Sequence, residues 1–250
     1  MTRYWLILGI TFFILAGCKK GDEEDTPISP TPVVQQTTVK LSFLFRNGSV
    51  TASAGTYIQD ATGRDVEVVR IRFLVSNFQL MDGSGNALRS FPNAYVQFDS
   101  NDQYAVNTLG LADQCSFVSV KLDLGLPAAI NAMAPADFNA PPLSDQSLYV
   151  NGSLGYRFFS FEGRADANND GIVSSGEPAV TYICATDAML RTDQVFWNGS
   201  VAGPQATLSL GFDIQGLLNG INVMSDPTET GASALNAQLM SNLQTAVEPS

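Results

Sequence analysis

Apolar and polar residues alternate in short runs along most of this chain, and this period of two predicts β-strands. The first run, residues 39–46, ends at Asn47-Gly48, a dipeptide typical of tight turns. The longest run is residues 66–81, where Arg70 and Arg72 alternate with apolar residues. We expect this strand to expose one face to water. The same pattern predicts further strands at residues 94–98, 117–126, 149–161, 180–185, 193–197 and 206–214.

Two stretches depart from this alternation. Residues 128–145 are rich in Ala, Pro and Asn without a clear period, and they predict a long connection with about one helical turn. Residues 233–247 predict an amphipathic helix that packs on the domain, although Asn236 interrupts its apolar face. That face consists of Leu235, Leu239, Met240 and Leu243. Because Gly- and Asn-rich turns separate the strands, we predict an all-β, antiparallel β-sandwich-like single domain over residues 39–250 with a C-terminal helix.

The composition limits the possible partners and reactions. The chain has 24 acidic residues against 13 Lys and Arg and no basic cluster, which argues against a nucleic-acid partner. It contains no histidine, which excludes Ser-His-Asp and Cys-His catalysis and imidazole-ligated zinc, copper or iron. We therefore expect a non-enzymatic protein.

The N-terminal residues 1–17 predict a lipoprotein signal peptide. Arg3 supplies positive charge, and the apolar run 5–15 is too short for a comfortable membrane span. The run ends in Leu15-Ala16-Gly17-Cys18, which resembles the lipobox of bacterial lipoproteins. This resemblance implies cleavage before Cys18, lipidation of its sulfur and a membrane partner through the lipid anchor. The alternative is an ordinary secretory signal with an incidental cysteine.

Residues 18–38 follow as a lipidated cysteine and a flexible tether, since they carry too few apolar residues to pack. The acidic cluster directly after Cys18 resembles the surface-export signal of some bacterial lipoproteins, and the alternative is a charged spacer without an address. We expect an outer-membrane lipoprotein of the cell envelope that faces either the periplasm or the cell surface. Its protein or small-molecule ligand is not indicated by these residues.

The two remaining cysteines, Cys115 and Cys184, predict a disulfide, because the bacterial envelope is oxidising. Closing so long a loop contributes about 4 kcal/mol in the chain-entropy model. The alternative is a pair of buried thiols.

Residues 166–177 match the calcium-loop pattern D-x-[DN]-x-[DN]-G-x5-E at every defined position. The predicted calcium ligands are Asp166, Asn168, Asp170, Ile172, Ser174 and Glu177. Oxygens at these positions suit a hard cation, with Ile172 offering its carbonyl and Glu177 two carboxylate oxygens. A strand precedes the loop and Pro178 follows it, so we predict an EF-hand-like loop between strands that has a structural role. The alternative is an Asx-rich turn without an ion.

An enzymatic alternative also remains open. Paired carboxylates hydrolyse glycosidic bonds, and Glu162 with Asp123 or Asp187 is a candidate pair for an envelope glycan hydrolase.

Four segments of the sequence together resemble the MbnP-like proteins, a family of exported bacterial proteins. These segments are the strand that opens at Val39, residues 74–80 (LVSNFQL), residues 155–163 (GYRFFSFEG), and residues 223–226 (VMSD) followed by the final helix. The resemblance covers the chain from Val39 to the C-terminus. It implies an all-β, sandwich-like exported domain whose characterised relatives bind copper.

The resemblance also implies copper ligands that this chain lacks. Copper sites of the family use histidine imidazoles and a tryptophan-derived group, but here there is no histidine. The only tryptophan after the signal peptide is Trp197, which lies outside the segment before Gly155. A non-histidine copper site, for example one of methionine thioethers, is the alternative function. The leading hypothesis is a lipid-anchored MbnP-like binding protein with a calcium-stabilised loop.

Overall fold

The alternating pattern forms two sheets in the computed structural model, which describes residues 35–102 and 104–250. The strands are β1 (Gln36–Asn47), β2 (Val50–Thr51), β3 (Tyr57–Gln59), β4 (Asp65–Met81), β5 (Ala87–Phe91), β6 (Val96–Asp99), β7 (Asn107–Asp113), β8 (Cys115–Leu124), β9 (Tyr149–Asn151), β10 (Gly155–Ala165), β11 (Ala179–Ala185), β12 (Arg191–Val201), β13 (Gln205–Asp213), β14 (Thr228–Gly231) and β15 (Val247–Pro249). The α-helices are α1 (Ala128–Asn131) and α2 (Ala234–Ala246).

The smaller sheet has the order β15-β13-β1-β2, with β7 also paired to β1. The larger sheet has the order β12-β8-β4-β10-β11-β14, with β3, β5 and β6 paired to β4 and β9 paired to β10. The pairs β1–β13 and β11–β14 are parallel, and the other pairs are antiparallel. The all-β, sandwich-like fold with a C-terminal helix is therefore confirmed, with two parallel pairs that were not predicted.

A cluster of phenylalanines joins the two sheets. Along β1 every second residue is buried, which places Phe43 and Phe45 towards the larger sheet. There they meet Phe73 and Phe98, and Phe212 of β13 completes the cluster with ring-centroid distances of 4.7–6.0 Å. Each such ring buries roughly 150–250 Å². These rings therefore form a direct aromatic contact between the two sheets.

The long strand β4 is the spine of the larger sheet. Its first part pairs with β10 and its last part with β8. The register against β8 shifts between Ser76 and Gln79, at Asn77, whose φ of 52° lies in the left-handed region. Asn77 tolerates this conformation better than most residues because its short polar side chain bonds locally.

The predicted water-exposed face of β4 is wrong at Arg72, which is only 6 % exposed. The segment around Ser147 covers this part of the strand, and the Arg72 guanidinium donates to the Ser147 hydroxyl at 3.3 Å. The same guanidinium lies 3.5 Å from the Glu162 carboxylate. Alternation along β4 does not reveal this cover, because Ser147 lies 75 residues away from Arg72 in sequence.

Helix α2 packs on the larger sheet and is confirmed. Ser233 caps its start by accepting from the Asn236 backbone N–H at 3.1 Å. Asn236 is fully buried, and its amide donates to the Ile183 and Gly231 carbonyls at 3.0 and 2.9 Å. The residue that interrupts the apolar face therefore joins the helix to β11 and β14.

Residues 1–34 lie outside the described residues, and with them the predicted signal peptide, Cys18 and most of the tether. Strand β1 begins at Gln36, before the predicted domain start at Val39. Among the described residues, no helix is long and apolar enough to cross a membrane.

Candidate functional site

The loop 166–177 leaves the end of β10 and returns into β11. Its base is closed by a hydrogen bond from the Ala165 N–H to the Pro178 carbonyl at 3.0 Å. The Asp166 N–H donates to the Asp65 carbonyl at 3.0 Å, and the Arg64 guanidinium donates to the Asp166 carbonyl. Asp166 is 1 % exposed. The first residue of the loop is therefore held firmly against the start of β4.

Inside the loop, side-chain oxygens at motif positions 1, 3 and 5 point at backbone N–H groups of the same turn. The Asp166 carboxylate accepts from the Asp170 and Gly171 N–H groups at 3.2 and 2.7 Å. Asn168 Oδ1 accepts from Asp170 N at 3.0 Å, and Asp170 Oδ1 accepts from Ile172 N at 2.9 Å. Gly171 has φ of 81°, a value that suits glycine at this sharp turn. These contacts are those of an Asx-rich turn, and they place the oxygens of positions 1, 3 and 5 in the same turn.

The second half of the loop contains the remaining predicted ligands, Ile172, Ser174 and Glu177. Glu177 Oε2 accepts from the Ala167 N–H at 3.0 Å, so this carboxylate binds backbone at the loop entrance. Ser174 accepts the Glu177 N–H through its carbonyl at 3.1 Å, and Ile172 is largely exposed. Across residues 35–102 and 104–250, no group of three or more His, Cys, Asp or Glu is gathered as a metal site. The structure brings together positions 1, 3 and 5, while the Glu177 carboxylate is bonded to the Ala167 N–H.

The predicted disulfide is wrong, since Cys115 and Cys184 are both free. Cys184 of β11 lies opposite Phe159 of β10, which in turn lies opposite Phe73 in the middle of β4. Leu124, at the end of β8, lies opposite Val75 of the same part of β4, but Cys115 is nine residues away at the other end of β8. At ~3.3 Å per residue this separates the cysteines by about 30 Å, far beyond the ~7 Å limit for bridged Cα atoms. Burial raises the pKa of the Cys184 thiol, which keeps it protonated.

The first predicted carboxylate pair does not form. In the strand register, Glu162 of β10 lies opposite Arg70 of β4, and Asp123 of β8 lies opposite Ser76 of β4. The two carboxylates are therefore six residues apart along β4, or about 20 Å. Glycosidases need a separation of about 5–10 Å. Both Asp123 oxygens are engaged, by Asn77 Nδ2 and by a threonine hydroxyl, each at 2.6 Å.

The second pair, Glu162 with Asp187, does not form either. In the antiparallel register of β10 and β11, Ala185 lies opposite Arg157, so Asp187 falls near the start of β10. Glu162 is about seven residues further along β10, roughly 20 Å away. The Asp187 carboxylate instead accepts from Asn131 Nδ2 at 2.9 Å.

The Gly155-Tyr156 segment holds the long connection that precedes it. Gly155 has φ of 72°, and a Cβ there would lie 2.2 Å from Asn131 Oδ1. That oxygen accepts from the Tyr156 N–H at 2.8 Å, and the Tyr156 hydroxyl donates to the Leu143 carbonyl at 2.7 Å. Burial raises the pKa of Tyr156 to about 12, so the hydroxyl remains a donor. This segment therefore fixes the position of the connection that contains Asn131 and Leu143.

A buried carboxylate that the sequence analysis did not identify lies beside the base of the loop. Asp60 Oδ1 accepts from Thr62 N, Thr62 Oγ1 and Arg64 N at 2.8, 2.7 and 3.1 Å, and Oδ2 accepts from Val223 N at 3.2 Å. Burial alone would raise the pKa of Asp60, but these hydrogen bonds lower it below its ordinary value. The sequence 60–63 (DATG) indicates the local turn. It contains no signal for the contact with Val223.

A copper site with histidine ligands does not fit this chain, because the sequence has no imidazole. A copper site that uses Cys115 and Cys184 together does not fit either, because these thiols lie about 30 Å apart.

Comparison with known proteins identifies the family. The family model of MbnP matches residues 35–237. The solved structure of MbnP from Methylosinus trichosporium has a TM-score of 0.53 and 14 % sequence identity, and the match covers 80 % of this chain and 82 % of that one. This likeness shows a shared fold. Among curated proteins, no significant match was found. The chain belongs to the MbnP family.

Proposed function

We propose that this protein is a non-enzymatic, lipid-anchored binding protein of the bacterial cell envelope, in which a calcium ion stabilises the loop 166–177. The family and the lipobox at Cys18 support the envelope role. The observation that carries the calcium part is the complete twelve-residue motif, with the side-chain oxygens of Asp166, Asn168 and Asp170 already turned into the loop.

Calcium takes six to eight oxygen ligands in flexible geometry. The side chains of Asp166, Asn168 and Asp170 supply one half of the shell, and the Ile172 carbonyl and Ser174 extend it. Glu177 completes the shell once its carboxylate exchanges the Ala167 N–H for the ion. A divalent cation also relieves the repulsion among three carboxylates in one short loop. Its effect is to fasten the loop to the ends of β10 and β11.

Calcium is expected to raise the melting temperature of the wild-type protein by about 5 °C relative to chelator, and the Asp166→Ala variant is expected to show no such rise. Binding at a concentration well above the dissociation constant stabilises by ~2–3 kcal/mol, and each kcal/mol shifts the melting temperature of a domain this size by ~2–4 °C. Thermal denaturation followed by circular dichroism measures both proteins.

Asp82→Ala is the matched control for this experiment. Asp82 also caps an exposed turn, accepting from the Ser84 and Asn86 N–H groups at 2.8 Å each. The residue eleven positions later is Asn93, so this turn lacks the closing glutamate. The control is expected to keep the calcium response. Identical melting of the wild type with calcium and with chelator would contradict the calcium site.

Cys18→Ser is expected to move the protein from the membrane fraction to the soluble fraction and to abolish its labelling by palmitate. Two or three acyl chains are needed for a lasting anchor, and they depend on this sulfur. Fractionation and labelling of expressing cells measure the change, and protease accessibility in intact cells reports which face of the membrane the domain occupies. Membrane retention of the variant would overturn the anchor.

Copper binding is the alternative function, and family membership is the observation that favours it. It requires a site without histidine, since none is present in the sequence. Elemental analysis of the purified protein separates the two proposals. Stoichiometric copper would replace the leading proposal, whereas calcium without copper supports it.

A further inference from the structure

A polar cleft of about 380 Å³ opens between the turn after β1, the strand β3 and the segment after β13. Its size falls within the range of small-molecule sites, ~300–1,000 Å³. The side chains that carry its chemistry are Asn47, Tyr57, Gln59, Asp65, Gln215 and Asn219. None of them belongs to the loop 166–177.

Buried polar groups behind the cleft hold its walls in place. Asp60, 6 % exposed, ties the turn after β3 to Val223 through the hydrogen bonds described above. Asp213 Oδ1 accepts from the N–H groups of Gly48 and Gln215 at 2.9 and 3.0 Å, which joins the turn after β1 to the segment after β13. The cleft is therefore formed before any ligand arrives, and preorganisation of this kind favours binding.

The wall at Asn219 is fixed in the same way from helix α2. The Asn242 amide donates to the Leu217 and Asn219 carbonyls at 2.9 Å each, and Asn242 is 8 % exposed. The backbone carbonyls of Leu217 and Asn219 are thus both bonded to protein. The side chain of Asn219 is left to face the cleft.

The side chains that face the cleft keep free hydrogen-bonding capacity. Within the part of the chain that the structure describes, the side-chain amides of Gln215 and Asn219 make no hydrogen bond to protein. Asn47 donates through Nδ2 to the Tyr57 carbonyl at 3.1 Å, which leaves its Oδ1 free. Gln59 donates weakly to Asp65 at 3.4 Å. An amide both donates and accepts, as a sugar hydroxyl does, so these groups match a polyhydroxylated ligand.

Charge and ring exposure narrow the ligand class further. Two carboxylates, Asp60 and Asp65, line the cleft, and no lysine or arginine does among the described residues, which disfavours phosphates and acids. Tyr57 lines the cleft and is 44 % exposed, so it is an aromatic side chain available to an apolar surface of a ligand. Sugar rings combine such a C–H face with hydroxyl groups around their edge.

We propose that this cleft binds a neutral carbohydrate, with one sugar ring against Tyr57 and its hydroxyls bonded by Gln59, Asp65, Gln215 and Asn219. The proposal names a ligand class for the binding role proposed above and rests on it. It does not depend on calcium, because no predicted calcium ligand lines the cleft.

The test is binding of the purified protein to an array of neutral hexose, pentose and N-acetylhexosamine oligomers, followed by calorimetric titration of the best glycan. Tyr57→Ala is expected to weaken binding about tenfold, because it removes the stacking ring and its buried area. Gln215→Ala is expected to weaken binding about fivefold through lost hydrogen bonds. Tyr104→Ala is the control, since Tyr104 is 73 % exposed and lies outside the cleft.

The proposal is overturned by an array without a neutral glycan ligand, by binding only to acidic or cationic molecules, or by equal binding in the wild type, Tyr57→Ala and Gln215→Ala. Calcium-dependent melting and palmitate labelling are recorded on the same wild-type protein. If those two responses persist while glycan binding is absent, the cleft proposal fails and the anchored, calcium-stabilised protein remains. If glycan binding is present while both of those responses are absent, the cleft proposal remains, and the proposals of a lipid anchor and a calcium-stabilised loop fail.

Discussion

Replacing Phe73 with alanine is expected to lower the free energy of unfolding by about 4 kcal/mol, the upper range for a large-to-small change in a core. Phe73 is 1 % exposed, and its ring lies 5.3, 4.7 and 5.0 Å from the rings of Phe43, Phe98 and Phe212. Because these partners come from both sheets, the cavity would open where the sheets meet. The surrounding strands cannot close it without shifting one sheet against the other.

Urea unfolding followed by circular dichroism measures this loss, together with a melting temperature lower by about 10 °C. Phe196→Ala is the matched control, since Phe196 is 71 % exposed on β12. Its effect is expected to stay within about 0.5 kcal/mol. Equal losses in the two variants would show that the aromatic cluster is not the main packing centre.

Gly155→Ala is expected to destabilise the protein by about 3 kcal/mol. The residue has φ of 72°, which disfavours alanine by itself, and the new Cβ would lie 2.2 Å from Asn131 Oδ1. Relieving this overlap must displace Asn131, which bonds the Tyr156 N–H and the Asp187 carboxylate. Strain and lost hydrogen bonds therefore add up, in a range typical of overpacked interiors.

Gly85→Ala separates the two contributions. Gly85 has φ of 82°, close to that of Gly155, but nothing lies within 4 Å of the point that a Cβ would occupy there. This control is expected to cost about 1 kcal/mol, from backbone strain alone. Chemical denaturation of both variants gives the difference. A loss in Gly155→Ala no larger than that of the control would mean that Asn131 moves aside freely.

The family motifs contribute to the fold in ways that their sequences do not reveal. Gly155-Tyr156 anchors the connection that contains Asn131, and the Asn77 side chain bonds Asp123 at the shifted register of β4. The candidate catalytic carboxylates also make structural contacts: Asp123 with Asn77, Asp187 with Asn131, and Glu162 with Arg72. The loop 166–177 and the cleft beside Tyr57 are the two places at which we propose a ligand.

In the loop 166–177, the sequence motif predicted some side-chain positions but not others. Its first six positions were predictable, because their hydrogen bonds join residues two to five apart in sequence. The position of Glu177 was not predictable, since its carboxylate binds Ala167 at the loop entrance, ten residues away. The extended backbone preferred before Pro178 contributes to this difference.

The eight alternating runs, the final helix and the family could be recognised from the sequence, because alternation and short motifs are local properties of the chain. The short strands β2, β3, β5, β7, β14 and β15 were not predicted, and the single run 149–161 is divided into β9 and β10. The separation of Cys115 from Cys184, the burial of Arg72 and the contact of Asn236 with the sheet became visible only in the folded protein. Each of these outcomes depends on strand register or on a covering segment distant in sequence. The cleft beside Tyr57 has the same origin, since its walls meet only after the two sheets have packed.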